Sequence, residues 1–364
     1  MNRRKFMKAA SAVTAGTILS ATPVVHAQKK YEWKMVTCWP KDLPGLGTGA
    51  AHLAQIIERM SGGRISIKVF GSGEFVPAFE TFDAVAEGKA QIGHGAPHYW
   101  KKKHEAFSFF TGFPFGLNAH EMITWMQFGG GQELMDELYG RYNLKPFPGG
   151  STGTQMGGWY NKEISSINDF KGLKIRMPGI GGMVLGRMGA EVINLPANKI
   201  YQALHSGDID ATEWNAPFDD LRLKLYEAAK YYYWPGWHEP GTMQDFFINK
   251  QVYESLPSDL REIIRQASLA IYNHIWSRFS ANNGSSLVEL IQKHKVKLKR
   301  YPERVLVKLA KVSREMVEEF AEKDPFSKKV YNSYSEFRKQ AIGWTQISEE
   351  AYSLARSLTE SYLD

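Results

Sequence analysis

A regular alternation of predicted strands and helices, beginning after residue 30, limits most strongly the folds open to this chain. The pattern predicts a strand at Trp33–Cys38, a helix at Thr48–Met60 with apolar residues near helical spacing, and a second strand at Ile65–Phe70. A helix at Phe79–Glu87 and a strand at Gln91–Ala96 continue the series. Such repetition predicts a mostly parallel sheet that is covered by helices.

A second set of predicted elements follows residue 150 and predicts a second α/β lobe. We expect residues 28–150 and about 246–325 to form the first lobe, and residues 151–245 the second. Ligands of such folds bind at the carboxyl ends of strands, which here would face a hinge cleft that closes on the ligand. The elements predicted for the second lobe are strands Met156–Tyr160, Leu173–Met177, Val192–Leu195 and Asp210–Trp214, and helices Gly181–Met188 and Ile200–Leu204.

Residues 1–27 have the features of an export signal. Four basic residues, among them Arg3 and Arg4, precede an apolar stretch that ends with small residues at Ala27. The paired arginines resemble a twin-arginine signal, which exports folded proteins. Ser, Thr, Gly and Pro interrupt the apolar stretch, which is shorter than the roughly 20 residues that span a bilayer. We therefore expect cleavage near Gln28 and a mature protein in the periplasm.

Charge and cysteine content argue against several classes of protein. The chain has 45 Lys and Arg against 38 Asp and Glu, and four of the basic residues lie in the export signal. The remainder is nearly neutral, so we expect no nucleic-acid partner. Cys38 is the only cysteine, which excludes an internal disulfide, and its place in a predicted buried strand favours a structural role.

Two further motifs are candidate functional sites. Gly45-Leu-Gly-Thr-Gly49 lies between a predicted strand and a predicted helix, but its third glycine comes one residue too early for a dinucleotide-binding motif. His94, His98 and His104 have a spacing seen among metal ligands, but no cysteine or carboxylate is patterned with them. Neither nucleotide binding nor a histidine metal site is therefore favoured.

Polar residues embedded in apolar or aromatic segments mark the candidate site. Gln155, Arg176, Glu213 and Glu239 each lie in such a segment, most of them at predicted strand ends. A buried charge is costly unless it is paired or coordinated, so one arginine with two glutamates predicts an anion site beside a cation site. An internal ion pair between Arg176 and Glu213 is the structural alternative. A hydrolase or lyase that uses Glu213 and Glu239 as acid and base is the alternative function.

Several of these segments together resemble the substrate-binding subunits of TRAP transporters (the DctP-type family). They are the export signal, Gly71–Glu74, Phe170–Pro178, Gly207–Ala211 and Glu213-Trp214, and the resemblance covers nearly the whole mature chain. It implies a two-lobed periplasmic binding protein with a hinge cleft and a long C-terminal helix. Such a protein is not an enzyme and delivers its ligand to the membrane subunits of the transporter.

Within that family the chain is most similar to the subgroup that binds 2-oxo acids such as pyruvate. Phe113–Gly116, Gly129–Glu133 and Pro235–Trp237 carry this similarity together with Glu213-Trp214. The resemblance implies that Arg176 binds the ligand carboxylate and that a metal ion contacts the ligand. The implied ligand-binding residues are Tyr99, Trp100, Gln155, Arg176, Trp214 and Asn215, and the implied metal ligands are the side chains of Gln155, Glu213 and Glu239 and the carbonyl group of Trp214.

The choice of ion and ligand stays open at this point. An oxygen-only set of ligands favours a hard cation, and the subgroup resemblance favours Na⁺. A related lactate-binding subgroup uses Ca²⁺, so calcium and a 2-hydroxy acid are the alternative. His238 and Pro240 flank Glu239 where the subgroup has a larger aromatic residue and a glycine.

The C-terminal segment, residues 326–364, predicts one long helix. Lys328–Leu358 contains no proline, and its apolar residues recur at spacings of three, four or seven. At about 1.5 Å per residue such a helix spans roughly 45 Å, longer than one lobe requires. It could pack along its own subunit. Members of the 2-oxo-acid subgroup exchange this helix between subunits, so the resemblance implies a homodimer.

Overall fold

The computed structural model describes residues 29–358, which form two α/β lobes and confirm the predicted fold class. The export signal predicted for residues 1–27 lies outside this range. The strands of the described chain belong to two sheets. They are β1 (Tyr31–Thr37), β2 (Ile65–Phe70), β3 (Ile92–Gly95), β4 (Leu144–Gly153), β5 (Gly158–Tyr160), β6 (Lys174–Arg176), β7 (Glu191–Ile193), β8 (Ala211–Thr212), β9 (Tyr231–Trp234), β10 (Thr242–Asn249) and β11 (Lys297–Arg300).

The first lobe is built on a five-stranded sheet in the order β2-β1-β3-β10-β4. β1 pairs in parallel with β2 and β3, as the alternation of strands and helices predicts. β10 runs antiparallel to both β3 and β4, because the chain re-enters this sheet from the second lobe. The sheet is therefore mixed, and the prediction of a mostly parallel sheet was wrong for this half of it.

The second lobe contains a six-stranded sheet in the order β11-β9-β5-β8-β6-β7. β5 runs antiparallel to β8 and β9, whereas β6, β7 and β8 are parallel to one another. β11 adds to β9 in parallel and satisfies the backbone groups that this edge would otherwise expose. Residues 297–300 therefore lie in the second sheet, whereas the sequence placed them in the first lobe.

Helices cover both sheets. No helix between residues 29 and 358 combines the length and the apolar character that a bilayer span requires. The α-helices of this range are α1 (Gly47–Met60), α2 (Thr81–Ala86), α3 (Phe107–Thr111), α4 (Ala119–Phe128), α5 (Gly131–Gly140), α6 (Gly179–Arg187), α7 (Ala197–Ser206), α8 (Pro217–Asp220), α9 (Leu225–Ala228), α10 (Lys250–Glu254), α11 (Ser258–Gln292), α12 (Glu303–Ala321), α13 (Pro325–Ile347) and α14 (Glu349–Ser357).

The glycine-rich motif at the start of α1 is explained by close packing. Leu53 and Ile57, one turn apart, are buried on the face of α1 that covers the sheet. A Cβ atom at Gly49 would lie 2.6 Å from the Ile275 side chain on α11. Only glycine allows the two helices to approach so closely.

The longest helix, α11, has 35 residues and contacts both lobes. It packs on α1 and β4 of the first lobe and on α8 of the second. The chain also passes between the sheets at residues 154–157 and 235–241. Because few backbone segments join the lobes, they form the hinge about which the cleft can open.

The C-terminal segment is helical, as predicted, but it consists of two helices. α13 packs on α12, α4 and α5 and buries Tyr334. Ser348 leaves the helical conformation (φ −111°, ψ −95°), and its hydroxyl group donates to the Trp344 oxygen at 2.8 Å. A serine that bonds to the backbone in this way competes with helix continuation. The single helix predicted for Lys328–Leu358 is therefore interrupted, and α14 buries none of its residues.

Candidate functional site

The predicted polar residues lie where the two lobes face each other. Arg176 ends β6, Glu213 follows β8, and Gln155 and Glu239 lie in the segments that cross between the sheets. They surround a cavity of about 20 Å³, which holds roughly one or two water-sized spheres, so the lobes are closed on their own side chains. The predicted residues that line it are Tyr99, Gln155, Arg176, Glu213, Trp214, Asn215 and Glu239.

Arg176 and Glu213 form an ion pair in the protein interior, with side chains 1% and 2% exposed. Arg176 Nη1 donates to a carboxylate oxygen of Glu213 and to the Glu213 backbone oxygen at 2.9 Å. Arg176 Nε donates to the Leu195 oxygen at 3.2 Å, and the guanidinium carbon lies 5.0 Å from the centre of the Trp214 ring. Nη2 takes part in none of these contacts, so one end of the guanidinium fork remains for a further anion.

Gln155 connects the surroundings of the two glutamates. Its amide nitrogen lies 3.0 Å from Asn215 Oδ1, 2.8 Å from Thr242 Oγ1 and 3.2 Å from Glu239 Oε2. Its amide oxygen lies 3.1 Å from His238 Nε2. Thr152 Oγ1 lies 3.5 Å from the same nitrogen, and because an amide nitrogen carries two hydrogens, four acceptors compete for it.

Glu239 remains an anion although it is buried. His98 Nδ1 lies 3.2 Å from Glu239 Oε1, and the Thr242 hydroxyl group donates to Glu239 Oε2 at 3.0 Å. Burial alone would raise the pKa of Glu239, but the neighbouring His98 and His238 imidazoles and the Thr242 hydroxyl outweigh it and hold that pKa below its usual range.

His238 makes the corresponding contact with the other glutamate. Its Nε2 atom lies 3.3 Å from Glu213 Oε2, and its side chain is completely buried. Each glutamate of the cleft therefore faces one imidazole, from His98 or His238. The sequence assigned the only positive charge of the site to Arg176 and did not place either histidine there.

The three histidines at positions 94–104 do not converge on a metal ion. His94 Nδ1 accepts a hydrogen bond from the Trp39 indole at 2.7 Å, and His104 Nε2 lies 3.6 Å from Asp324. Only His98 of the three lines the cavity. Within residues 29–358 no three side chains of His, Cys, Asp or Glu are arranged to bind a metal ion.

Aromatic rings form one wall of the cavity. The Trp39 ring centre lies 6.0 Å from that of Tyr99 and 6.4 Å from that of Trp214. Trp100, by contrast, is buried in the core of the first lobe, with its ring centre 5.8 Å from that of Phe247. Tyr99 and Trp100 follow each other in a short 3₁₀ helix, so their side chains point in different directions. The sequence named both Tyr99 and Trp100 as ligand-binding residues, but only Tyr99 of the two lines the cavity.

Two buried carboxylates hold the segment after β8 in place. Asp219 accepts hydrogen bonds from the Trp214 indole at 2.8 Å and from the Asn215 amide at 2.6 Å. Asp220 accepts from the Asn215 backbone N–H at 3.1 Å. Burial raises the pKa of both carboxyl groups. The sequence did not reveal this role, because adjacent aspartates more often lie in solvent.

Trp39, Thr242 and Gln244 also line the cavity and were not predicted. Trp39 follows the carboxyl end of β1, where the rule that ligands bind beyond strand ends would have indicated it. Thr242 and Gln244 lie on β10, whose first residues face the cleft. No pattern in the sequence identified that strand before its place in the first sheet was known.

The oxygen atoms around the cavity suit a hard cation. Glu213 and Glu239 supply carboxylates, and Gln155 contacts Glu239 directly and Glu213 through His238. Turning the Gln155 amide would direct its oxygen at Glu239 Oε2, and two facing oxygens repel unless a cation or a proton lies between them. The side chains present therefore fit a sodium or calcium ion.

Two α/β lobes that close a charged cleft at their hinge define a solute-binding protein. The sequence profile of bacterial extracellular solute-binding protein family 7 (DctP) matches residues 36–324, and the chain belongs to this family. The predicted resemblance to TRAP solute-binding subunits is thereby confirmed. The predicted periplasmic location agrees with it, since relatives of this chain are named periplasmic binding proteins.

Three relatives carry the comparison further. A monocarboxylate 2-oxoacid-binding periplasmic protein of Nostoc sp. is 39% identical over 97% of this chain and 98% of its own length. A TRAP solute-binding protein from Colwellia psychrerythraea, solved with calcium and pyruvate, is 40% identical (TM-score 0.86, covering 89% of this chain and 99% of that one). One from Pseudoalteromonas atlantica, solved with sodium and pyruvate, is 38% identical (TM-score 0.86, covering 89% and 98%).

Proposed function

We propose that the protein captures a small monocarboxylate, a 2-oxo acid such as pyruvate, and delivers it to the membrane subunits of a TRAP transporter. The observation that carries this proposal is the convergence of Arg176, Gln155, Glu213 and Glu239 on one small closed cavity with an aromatic wall. A 2-oxo acid has the carboxylate that an arginine recognises and a second oxygen that a cation can bind. The names of the Nostoc relative and of the two pyruvate-bound structures support the same class of ligand.

In this proposal Arg176 binds the ligand carboxylate through the end of the guanidinium group that the Glu213 pair leaves open. Asn215 and Gln155 offer amide groups, and Tyr99 and Trp214 cover the apolar part of the ligand. Asp219 keeps the Trp214 indole and the Asn215 amide in position. A ligand held by both lobes stabilises the closed cleft, which is the form that a binding protein presents to its transporter.

We further propose that a hard cation, Na⁺ or alternatively Ca²⁺, accompanies the ligand. The side chains of Gln155, Glu213 and Glu239 and the carbonyl group of Trp214 would hold it. The ion would neutralise carboxylate charge and contact the ligand oxygen atoms. The two pyruvate-bound relatives contain calcium in one case and sodium in the other, and both ions suit these oxygen atoms.

Two alternatives differ in ligand or in chemistry. A 2-hydroxy acid such as lactate, bound with calcium, would use the same carboxylate site. A hydrolase or lyase would need Glu213 or Glu239 to exchange protons near neutral pH. The lowered pKa of Glu239 opposes that role, and Glu213 is bound to Arg176. We therefore propose a binding protein without catalytic activity.

We also propose a homodimer formed through the C-terminal segment. Several large apolar side chains of α13, α14 and the residue that follows α14 face solvent, and such patches mark interaction sites on soluble proteins. A second copy offers the same apolar surface in return, as twofold interfaces require. The exposed residues are Trp344, Ile347, Tyr352, Leu354 and Leu358.

The test of the proposed function combines binding with ligand analysis. Thermal unfolding is measured with pyruvate and with a panel of small monocarboxylates, in buffers containing sodium or calcium. A ligand at about 100 times its dissociation constant should stabilise the folded state by roughly 2.7 kcal/mol. NMR spectra of the mixture should show unchanged ligand. Consumption of the ligand would favour the enzyme, and no stabilisation by any 2-oxo or 2-hydroxy acid would contradict the proposal.

A further inference from the structure

Two polar side chains that line the cavity, those of His98 and Gln244, carry polar atoms without a hydrogen-bond partner within residues 29–358. His98 is 5% exposed, and neither of its ring nitrogens forms a hydrogen bond within residues 29–358. Its Nδ1 atom lies near Glu239 Oε1, but outside hydrogen-bonding geometry. Gln244 is 1% exposed, and its side-chain oxygen also has no partner within that range.

An unpaired polar atom in this position needs an explanation. More than about nine in ten buried polar atoms of native proteins are hydrogen-bonded, because an unsatisfied one loses its interaction with water and gains nothing in return. The His98 imidazole can donate through a ring N–H, and the Gln244 oxygen accepts. A hydroxyl group, which both donates and accepts, satisfies the two side chains together.

His98 and Gln244 belong to a different lobe from Arg176, to which the ligand carboxylate binds in the proposed function. His98 follows β3 and Gln244 lies on β10, both in the first sheet, whereas Arg176 and Glu213 belong to the second sheet. A ligand with its carboxylate at Arg176 extends toward the first lobe, where His98 and Gln244 line the same small cavity.

We infer that His98 and Gln244 bind a hydroxyl group on the carbon next to C2 of the ligand. The preferred ligand is then a 3-hydroxylated small carboxylate, such as 3-hydroxypyruvate or glycerate, which binds more tightly than pyruvate or lactate. The inference rests on the proposed function, because Arg176 fixes the carboxylate end of the ligand.

Selectivity follows because a methyl group neither donates nor accepts a hydrogen bond. The other first-lobe residues at the cavity include Leu46 and Ala96, which accept a methyl group or a hydroxylated carbon without distinction. A methyl group in place of the hydroxyl group, however, leaves both buried polar atoms unpaired. A site built to bond a hydroxyl group discriminates strongly against the analogue that lacks it.

Calorimetry with two matched pairs of ligands tests this inference. Pyruvate and 3-hydroxypyruvate differ by one hydroxyl group, as do lactate and glycerate. The wild-type protein should bind the hydroxylated member at least about fivefold more tightly. His98→Phe keeps a ring of similar shape but no donor, and should bring this ratio close to one. His98→Gln restores a donor and should recover part of the preference. The control is His120→Phe, an exposed position on α4, which should keep the wild-type ratio.

The outcomes separate this inference from the proposed function. A wild-type ratio near one in both pairs, or a preference that survives in His98→Phe, overturns the inference while carboxylate binding stands. If no member of either pair binds, the proposed function fails and the inference fails with it. Thermal unfolding checks that each variant is folded. If His98→Phe is not, Gln244→Met, which keeps the length of the side chain but loses its amide group, should bring the ratio close to one in its place.

Discussion

Arg176 and Glu213 face each other in an ion pair from which solvent is almost completely excluded. The sequence left two interpretations open, an internal ion pair and an anion site. The structure contains the ion pair, and the geometry of the arginine leaves Nη2 outside it. One guanidinium group can therefore neutralise Glu213 and still bind the carboxylate of a ligand, since its fork presents several donors in fixed directions.

Replacing Arg176 tests this double role. Arg176→Lys keeps the charge but cannot form the Nη1 and Nε contacts and a ligand contact at once. We expect pyruvate binding to weaken by about 2–5 kcal/mol, the cost of disrupting a buried charged contact. Calorimetry measures the affinity, and Arg187→Lys, at an exposed pair with Glu319, is the control. An unchanged affinity would show that Arg176 serves the fold alone.

Gly179 tests the packing around Glu239. Its φ angle is +66°, and a Cβ atom there would lie 3.2 Å from Glu239 Oε1 and 3.5 Å from His98 Nδ1. Gly179→Ala should therefore lower both stability and ligand affinity. Gly172 has a φ angle of +68° but open space around it, so Gly172→Ala should cost roughly 1 kcal/mol of stability through backbone strain and leave affinity intact. Equal effects of the two variants on affinity would contradict this account.

Local patterns predicted much of the first lobe. β2 has the predicted bounds, and α1 begins one residue earlier than predicted, because period-two and helical spacing are properties of short segments. Pairing between distant strands is not a property of any short segment. The antiparallel entry of β10 depends on pairing across 150 residues, from Asp245 to Gly95, and the addition of β11 to the second sheet depends on pairing across 66 residues, from Lys297 to Tyr231. Neither leaves a local signal in the sequence.

The candidate site shows the same division between residues that local patterns identified and residues that they did not identify. Residues at predicted strand ends, such as Arg176 and Glu213, line the cavity because the rule about strand ends follows from chain direction alone. The sequence considered His98 only as a metal ligand and His238 only as a neighbour of Glu239 along the chain, because a histidine in sequence gives no sign of the carboxylate that it will face. Tyr99 lines the cavity and Trp100 does not, because the direction of a side chain in a 3₁₀ turn depends on a backbone conformation that the sequence pattern does not fix.

Asp245 should make stability depend on pH. Burial raises its pKa to about 7, against the hydrogen bond from the Tyr139 hydroxyl group that lowers it. The unfolded carboxyl group loses its proton near pH 4, so between about pH 4 and 7 the folded state binds more protons than the unfolded state. The free energy of unfolding should therefore fall as pH rises through this interval, by up to about 1.4 kcal/mol per pH unit, and level off above it.

Asp245→Asn isolates this contribution. The amide keeps an acceptor for the Tyr139 hydroxyl group but does not titrate, so the variant should show a smaller decrease between pH 4 and 7 than the wild type. Urea denaturation at several pH values measures the difference. Asp259→Asn, at an exposed carboxylate paired with Arg64, is the control and should retain the wild-type slope in this interval. Identical slopes in wild type and Asp245→Asn would refute the assignment.

The exposed apolar residues of the C-terminal segment should govern the state of association. Ile347 is 73% exposed near the end of α13, and a charge at this position would be buried in any interface that covers it. Ile347→Glu should therefore convert a dimer into a monomer without loss of thermal stability of the fold. Light scattering at micromolar concentration measures the mass. Val288→Glu, at an exposed apolar residue on α11, should leave it unchanged, and a monomeric wild-type protein would reject the dimer.

The charge of the closed cleft leads to the last prediction, which is that ligand and cation bind together. Glu213, Glu239 and the ligand carboxylate bring three negative charges, whereas Arg176 brings one positive charge. With the His98 and His238 imidazoles neutral, two of these negative charges are uncompensated in a dry cleft, which is costly, and a bound cation relieves this cost directly. Pyruvate and the ion should therefore raise each other's affinity by the same factor, because linkage between binding sites is reciprocal.

Removing one carboxylate should weaken the binding of both the cation and pyruvate. Glu239→Gln loses an anionic oxygen that the ion would contact, so the affinities for the cation and for pyruvate should fall in parallel, while Glu133→Gln, on the exposed side of α5, should change neither. Calorimetry of chelated, sodium-free protein, repeated with sodium and then with calcium, measures both affinities and ranks the two ions. The His98 and His238 imidazoles face the same two glutamates and offer a different source of positive charge. If ion-free protein binds pyruvate as tightly as ion-loaded protein, these imidazoles together with Arg176 neutralise the negative charge of the cleft, and the prediction of a bound ion is wrong.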